Sequence, residues 1–206
     1  MNRIFVEAKS EATPECRFLQ ALISRHFPGC ECKIICMNGF GNLFKEAIPN
    51  QLRSAHDEGD NVVVILDADT PQKQGGYAAR QQWVNAGLEA SGLTVPCFLY
   101  PDNHGDGDVE CLMEAIARRD VHKAWFDCFE DYEACISGVK ASDGTRLYNT
   151  PNRKGKLHTY ITSMPLTSKQ RNKVGSGEWL FSDTRYWDLA SEALRPLLDF
   201  FETHLL

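Results

Sequence analysis

Asn61-Val-Val-Val-Ile-Leu-Asp67-Ala-Asp69 constrains the fold more than any other stretch of this chain. Five consecutive aliphatic residues, three of them valine, describe a strand buried on both faces, as in parallel sheets whose crossovers cover both sides. The run ends in two carboxylates at i and i+2, which a pleated backbone directs to one side. Two like charges so placed raise each other's pKa, and a divalent cation would reconcile them. The pair has a second reading: Asp69-Thr70-Pro71 makes an Asx-turn that simply ends the strand, since proline cannot continue a ladder.

The segments on either side repeat a strand–helix rhythm. Arg3 to Val6 reads as a first strand ending at Glu7. Pro14 to Phe27 follows as a helix with Phe18, Leu19, Leu22 and Ile23 on one face, stopped by Pro28-Gly29. Cys32 to Met37 is a second strand, and Asn42 to Glu58 a helix distorted at Pro49. After the Asn61 strand come a polar loop, a helix from Tyr77 to Ala90 and a strand from Leu93 to Tyr100. Val109, Leu112, Met113, Ile116 and Ala117 then mark an amphipathic helix. This order predicts an open, mostly parallel α/β sheet flanked by helices.

Beyond Ala124 the sequence predicts a helix over Phe126 to Ile136, a strand near Lys156 to Ser163 and a final helix from Ser191 to His204. These are expected to pack on the sheet as additional C-terminal α/β elements. One domain over 1–206 results, with its core in about 1–120 and an elaboration in about 121–206.

Charge is uneven. The chain carries a net −6, yet Lys140 to Lys173 holds eight basic residues opposed by Asp143 alone. Such a stretch on an acidic body suits a phosphate backbone, and equally suits a solvated loop region rich in glycine and proline. Eight cysteines without a C-x-x-C read as free buried thiols; Cys30, Cys32 and Cys36 lack the usual zinc spacing, and Cys32 and Cys36 would share a strand face with Ile34. No apolar run approaches the roughly 20 residues of a bilayer span. The first residues meet Glu7 too early for a secretory segment. A cytoplasmic location with no membrane partner is the expectation.

In an open α/β sheet, sites form outside the carboxyl ends of the strands. Glu7 ends the first strand and Asp67 and Asp69 the third, so a parallel sheet would bring all three to one edge. Magnesium and manganese favour such oxygen donors.

Val6-Glu7-Ala8-Lys9-Ser10-Glu11 and Leu66-Asp67-Ala68-Asp69 resemble the two acidic motifs of the Toprim fold. That fold is shared by topoisomerases, bacterial primases, small ribosomal-RNA maturases, recombination proteins and overcoming-lysogenization-defect nucleases. The chain is most similar to an uncharacterised bacterial Toprim-like family related to those nucleases. Further matching runs are Phe98-Leu99-Tyr100-Pro101-Asp102-Asn103, Gly107-Asp108-Val109-Glu110, Cys128-Phe129-Glu130-Asp131-Tyr132 and Trp187 to Leu197.

The resemblance implies magnesium- or manganese-dependent phosphodiester chemistry on nucleic acid, a nuclease-like activity. By it Glu7 is a metal ligand or general acid/base, and Asp67 and Asp69 are metal ligands. Glu11, Asp108 and Glu110 correspond to further acids of the nuclease members. Asp108 also suits the N-cap of the Val109 helix, with Glu110 favouring its dipole. Lys9, Arg153 and Lys154 are candidate phosphate contacts, and Lys156 a candidate transition-state contact. Two departures stand out. Ala8 replaces a common glycine, and Pro71 stands where topoisomerases and primases carry a third aspartate, which argues against those two activities. A non-catalytic module binding nucleotide or nucleic acid is the alternative, and a homodimer is compatible with either.

Overall fold

The computed structural model describes residues 1–45, 47–73 and 75–206. Four strands, β1 (Asn2–Val6), β2 (Cys32–Cys36), β3 (Asn61–Asp67) and β4 (Cys97–Tyr100), form an all-parallel sheet in the order β2-β1-β3-β4. Among the described residues, eight helices flank it: α1 (Pro14–His26), α2 (Ala47–Asp57), α3 (Tyr77–Ser91), α4 (Val109–Ala115), α5 (Lys123–Ser137), α6 (Arg153–Thr162), α7 (Ser168–Gly175) and α8 (Arg195–Leu205). The α/β class and open parallel sheet expected from the strand–helix rhythm are what the chain adopts.

Pleating divides the sheet between two cores. Phe5, Val64, Leu66 and Leu99 pack with Leu52 of α2 and Val84 of α3 on the thinner side. Ile4, Val6, Val63, Ile65, Phe98 and Tyr100 face the thicker side, against α1, α4, α6 and α8. That second core runs from β1 to α8 and includes Phe126, Leu157 and Trp187, so the C-terminal third is built onto the sheet. Each large side chain buried there contributes roughly 1.5–3 kcal/mol relative to exposure.

Three expectations change. The segment 156–163, read as a strand from its aromatic and β-branched content, lies in α6 and the turn after it. Asn152 caps that helix by accepting from Gly155 N at 2.8 Å, and Leu157, Tyr160 and Ile161 bury one helical face. The C-terminal elaboration is therefore helical, with only isolated bridges such as Ala117 to Trp187. The helix expected from Asn42 begins at Ala47, preceded by a 3-10 turn over Phe40–Asn42, and Pro49 is tolerated in its first turn. All eight cysteines are free as expected, but only Cys16 is fully buried, and Cys128 and Cys135 are exposed on α5.

The strand order reverses between β1 and β3: the chain leaves β1 toward β2 on one side, then returns to β3 on the other. In α/β sheets the crevice at such a reversal is where ligands bind. Here it lies between the ends carrying Glu7 and Asp67.

Candidate functional site: an acidic sheet edge faced by a basic helix

Glu7 follows β1 directly, on the pleat that carries Phe5 to the thinner side, and Asp67 ends β3 on the pleat of Val63 and Ile65. The two therefore leave the sheet toward opposite layers. Asp67 Oδ1 accepts from Val109 N at 2.9 Å, which ties it to the start of α4. Glu7 lies near the backbone of Phe40 and Asp67 and feels the charges of Arg80 and Asp69.

Asp69 departs from the pleat argument. β3 stops at Asp67, and Asp69 adopts a left-handed backbone with φ of 60°. Its amide and carbonyl pair with Gly107 in a two-residue antiparallel bridge, at 2.6 and 2.8 Å. Gly107 itself has φ of 152°, and a Cβ there would meet Cys111 Sγ at 2.7 Å. The Asp69 carboxylate is held by Arg80 Nη2 at 2.9 Å. Arg80, only 6% exposed, also donates Nε to Asp67 O and lies 3.6 Å above the Phe40 ring centroid. Asp67 and Asp69 thus point to different partners rather than to one side.

The bridge between Asp69 and Gly107 brings α4 to the same edge. Asp108 caps α4, accepting from Cys111 N at 3.2 Å, so its capping role is realised. It also pairs with Lys73 at 3.1 Å and Arg153 at 3.4 Å. Glu110, in the first turn, pairs with Lys154 at 3.0 Å. One turn on, Glu114 takes Lys156 at 2.7 Å and Arg153 at 2.9 Å. Three residues of the basic window, Arg153, Lys154 and Lys156, are therefore engaged by α4, while Lys140, Arg146, Lys169 and Arg171 stay exposed. Helix α6 lies against α4, and a cavity of about 610 Å³ between them is lined by Asp67, Lys73, Asp108, Glu110, Arg153, Lys154 and Glu133 among others.

These ion pairs differ in weight. Lys156 is 11% exposed and lies near the Phe126 and Phe129 rings, so it is an anchor for α6. Lys154 at 56% and Arg153 at 41% are largely in solvent, where a pair contributes about 0–1 kcal/mol.

Sequence reading missed Glu15. It is the second residue of α1, behind Pro14 and the cap Thr13, which places it over the carboxyl edge of β1. Burial pushes its pKa up to about 8, aided by the charges of Glu7 and Glu110 and opposed only weakly by Lys154. Burial likewise raises Asp67 well above the usual carboxylate range, with Glu15, Glu7 and Glu110 adding to it. Glu7 is raised by burial, which the backbone of Asp67 and Phe40 only partly offsets. A signal was available: a helix following a parallel strand must start at that strand's carboxyl end, so acids in its first turn return to the edge. Glu15 and Glu110 both satisfy this rule. Arg80 carried no comparable signal.

Glu11 and Lys9 are exposed and outside this gathering. Glu7 Oε2 and Tyr100 Oη are buried with no hydrogen-bond partner among the described residues. Leaving such an atom unpaired costs about 1–3 kcal/mol. Among the described residues, no three histidine, cysteine, aspartate or glutamate side chains form a ready-made metal shell. The donors present are nonetheless all oxygen, and the unpaired Glu7 oxygen and mutually repelling Glu7, Glu15 and Asp67 suit a hard cation in chemistry.

Fold and site define a parallel α/β domain with an acidic switch-point edge closed over by a basic helix. The chain belongs to the family described as "Protein of unknown function (DUF3226)", whose match covers residues 1–206. No curated protein matches the chain, and no solved structure does. Among the described residues, no helix is long and apolar enough to cross a membrane.

Proposed function

We propose that this chain is a metal-dependent domain acting on phosphodiesters of nucleic acid, most simply by hydrolysis. The observation that carries this reading is the gathering of Glu7, Glu15 and Asp67 at the switch point, with no ion-pair partner within 4.0 Å among the described residues. The Toprim resemblance supports it. Asp67, Glu15 and Glu7 would hold magnesium or manganese, with Glu110 joining once released from Lys154. A bound ion of this kind polarises a phosphoryl oxygen and lowers the pKa of a coordinated water.

The chain's own groups do the rest. Arg80 fixes Asp69 and the end of β3, and Asp69 would reach an ion only through the oxygen that now lies 3.7 Å from Lys73. Asp108 holds the start of α4 and so the amide that orients Asp67. Arg153 and Lys154 line the adjoining cavity and would meet the phosphates; Lys156 secures their helix.

One observation favours a second reading, a non-catalytic nucleic-acid or nucleotide binder. Asp69 and Asp108 are already engaged by Arg80 and Lys73, which leaves fewer free acids than a two-ion centre uses. Calorimetric titration of Mn²⁺ into wild type and Asp67→Asn, followed by incubation with labelled DNA and RNA, separates the readings. Uptake by wild type, roughly 10–100-fold weaker in the variant, with strand cleavage, supports the enzyme. Uptake without cleavage favours the binder. No uptake by wild type ends the enzyme reading.

A further inference from the structure

At the amino end of β2, on the sheet edge away from the acids, two thiols sit side by side. Cys30 Sγ and Cys32 Sγ lie 3.3 Å apart, both partly exposed. The turn at Pro28-Gly29 brings them together: Gly29 takes φ of 92°, and the Cys30 amide donates to Phe27 O at 3.0 Å. Asn2 of β1 donates its side-chain amide to Cys30 Sγ at 2.9 Å. A hydrogen bond of that kind favours the thiolate, the form of sulfur that attacks.

The two sulfurs differ in surroundings. Cys30 lines an open cavity of about 760 Å³, with Phe27, Pro28 and Leu205 as apolar wall and Asn2 and His26 as polar lining. The His26 ring is fixed there by Nε2, 2.6 Å from Leu189 O. Cys32 is not part of that lining; it begins β2 and packs against the core. Burial and the neighbouring Cys30 push its thiol up to about 12. One sulfur faces an incoming molecule, and the other waits beside it as a thiol.

We infer that Cys30 and Cys32 form a dithiol exchange site whose ligand class is a small disulfide admitted by the cavity beside them. The Cys30 thiolate attacks one sulfur of that disulfide, forming a mixed disulfide and expelling the other half as a thiolate. Cys32 then gives up its proton and attacks Cys30 Sγ, so the second half leaves and the Cys30–Cys32 bridge closes. The two protons lost by the cysteines end on the two departing sulfurs. Two electrons thus pass from the protein dithiol to the small disulfide, which leaves as two thiols, and an external dithiol reverses the change. A bridge across a single residue at a partly exposed position is of the readily reduced, exchangeable kind. The site is independent of the acids at the opposite end of the strands.

Hydroxyethyl disulfide, small and uncharged, is the probe, and peptide mass spectrometry after alkylation of the remaining thiols locates the products. In wild type the peptide holding both cysteines should lose two hydrogens, escape alkylation and regain both thiols in dithiothreitol. Cys32→Ser should trap a hydroxyethyl mixed disulfide on Cys30, formed roughly tenfold or more faster than any adduct on Cys32 in Cys30→Ser. Cys128 and Cys135, exposed on α5, report the reaction of ordinary surface thiols in the same sample. Serine is close to cysteine in size, and the wild-type bridge is read without any substitution.

Adducts on Cys128 and Cys135 with Cys30 and Cys32 untouched would overturn the site. Separate adducts on Cys30 and Cys32 in wild type, with no bridge between them, would overturn the exchange. Equal rates of adduct formation in the two serine variants would overturn the assignment of Cys30 as the attacking sulfur.

Discussion

Glu15 and Glu114 are the same residue type, each sits on a helix packed over the same sheet edge, and they titrate in opposite directions. Burial works against both charges. At Glu114, hydrogen bonds and charge from Lys156 and Arg153 outweigh burial and hold its carboxyl below the usual range. Asp108 behaves alike: burial is outweighed by Cys111, Lys73 and Arg153. At Glu15 nothing comparable arrives; Glu7 and Glu110 add repulsion, and Lys154 offsets little. The outer acids on α4 are neutralised mainly by a segment some forty residues further along, and the inner acids at the switch point receive no such counter-charge. Protonation at this edge is set by which cation the tertiary fold delivers.

The largest effect expected on this contrast comes from Arg80, a buried cation close to the inner group. Arg80→Ala leaves Asp69 charged with only the exposed Lys73 ammonium at 3.7 Å and opens space beside Phe40, so a loss of about 3 kcal/mol in urea denaturation is expected. Arg80→Lys should recover only part, since one ammonium cannot serve both Asp69 and the Asp67 carbonyl. Full stability in Arg80→Ala would show that Asp69 is not anchored in this way.

Next is Glu15→Gln. With its folded pKa raised to about 8, Glu15 keeps its proton in the native chain while the unfolded chain loses it from the ordinary value of 4.5 upward. Wild-type stability therefore falls as pH rises through this window. The variant should match wild type near pH 4.5 and exceed it by about 2–4 kcal/mol above pH 8. Thermal melts across that range measure the gap; a gap that stays flat with pH would contradict the repulsion described.

Lys156 and Lys154 test the outer group. Lys156→Ala removes a half-enclosed pair and its aromatic packing and should cost about 1–2 kcal/mol. Lys154→Ala should stay within about 0.5 kcal/mol of wild type. Equal losses at the two positions would erase the distinction between an enclosed anchor and a mostly exposed pair.

Glu114→Gln gives a small change, with a sign opposite to Glu15→Gln. Its lowered folded pKa contributes stability that is present above the unfolded value and lost as pH falls through the folded one. The variant should be about 1 kcal/mol less stable at pH 7 and converge on wild type in acid. Parallel pH series for the two glutamines would show the curves diverging in opposite directions.

Much of the architecture was written locally. The aliphatic run Val62 to Leu66 demanded a central parallel strand because nothing but two covering layers can bury it. Helical periodicity located α1, α3, α4 and α5 within a few residues. The segment at 156–163 misled because Thr159, Tyr160, Ile161 and Thr162 favour strands locally, and the burial of Leu157, Tyr160 and Ile161 against Phe126 and Trp187 overrode that preference. At the edge, Glu7, Asp67 and Asp108 were legible as acids ending strands or starting a helix. Arg80 was not, because its importance is a matter of what surrounds it.

By itself the sequence determined the strand–helix order, and with it the edge at which Glu7 and Asp67 emerge, since alternation and periodicity are properties of neighbouring residues. Only the tertiary structure decided that Asp69 turns to Arg80, that Glu15 joins Asp67, and that Lys154 closes on Glu110. Those outcomes depend on electrostatic and packing distances between segments tens of residues apart, and no local pattern encodes a distance through space.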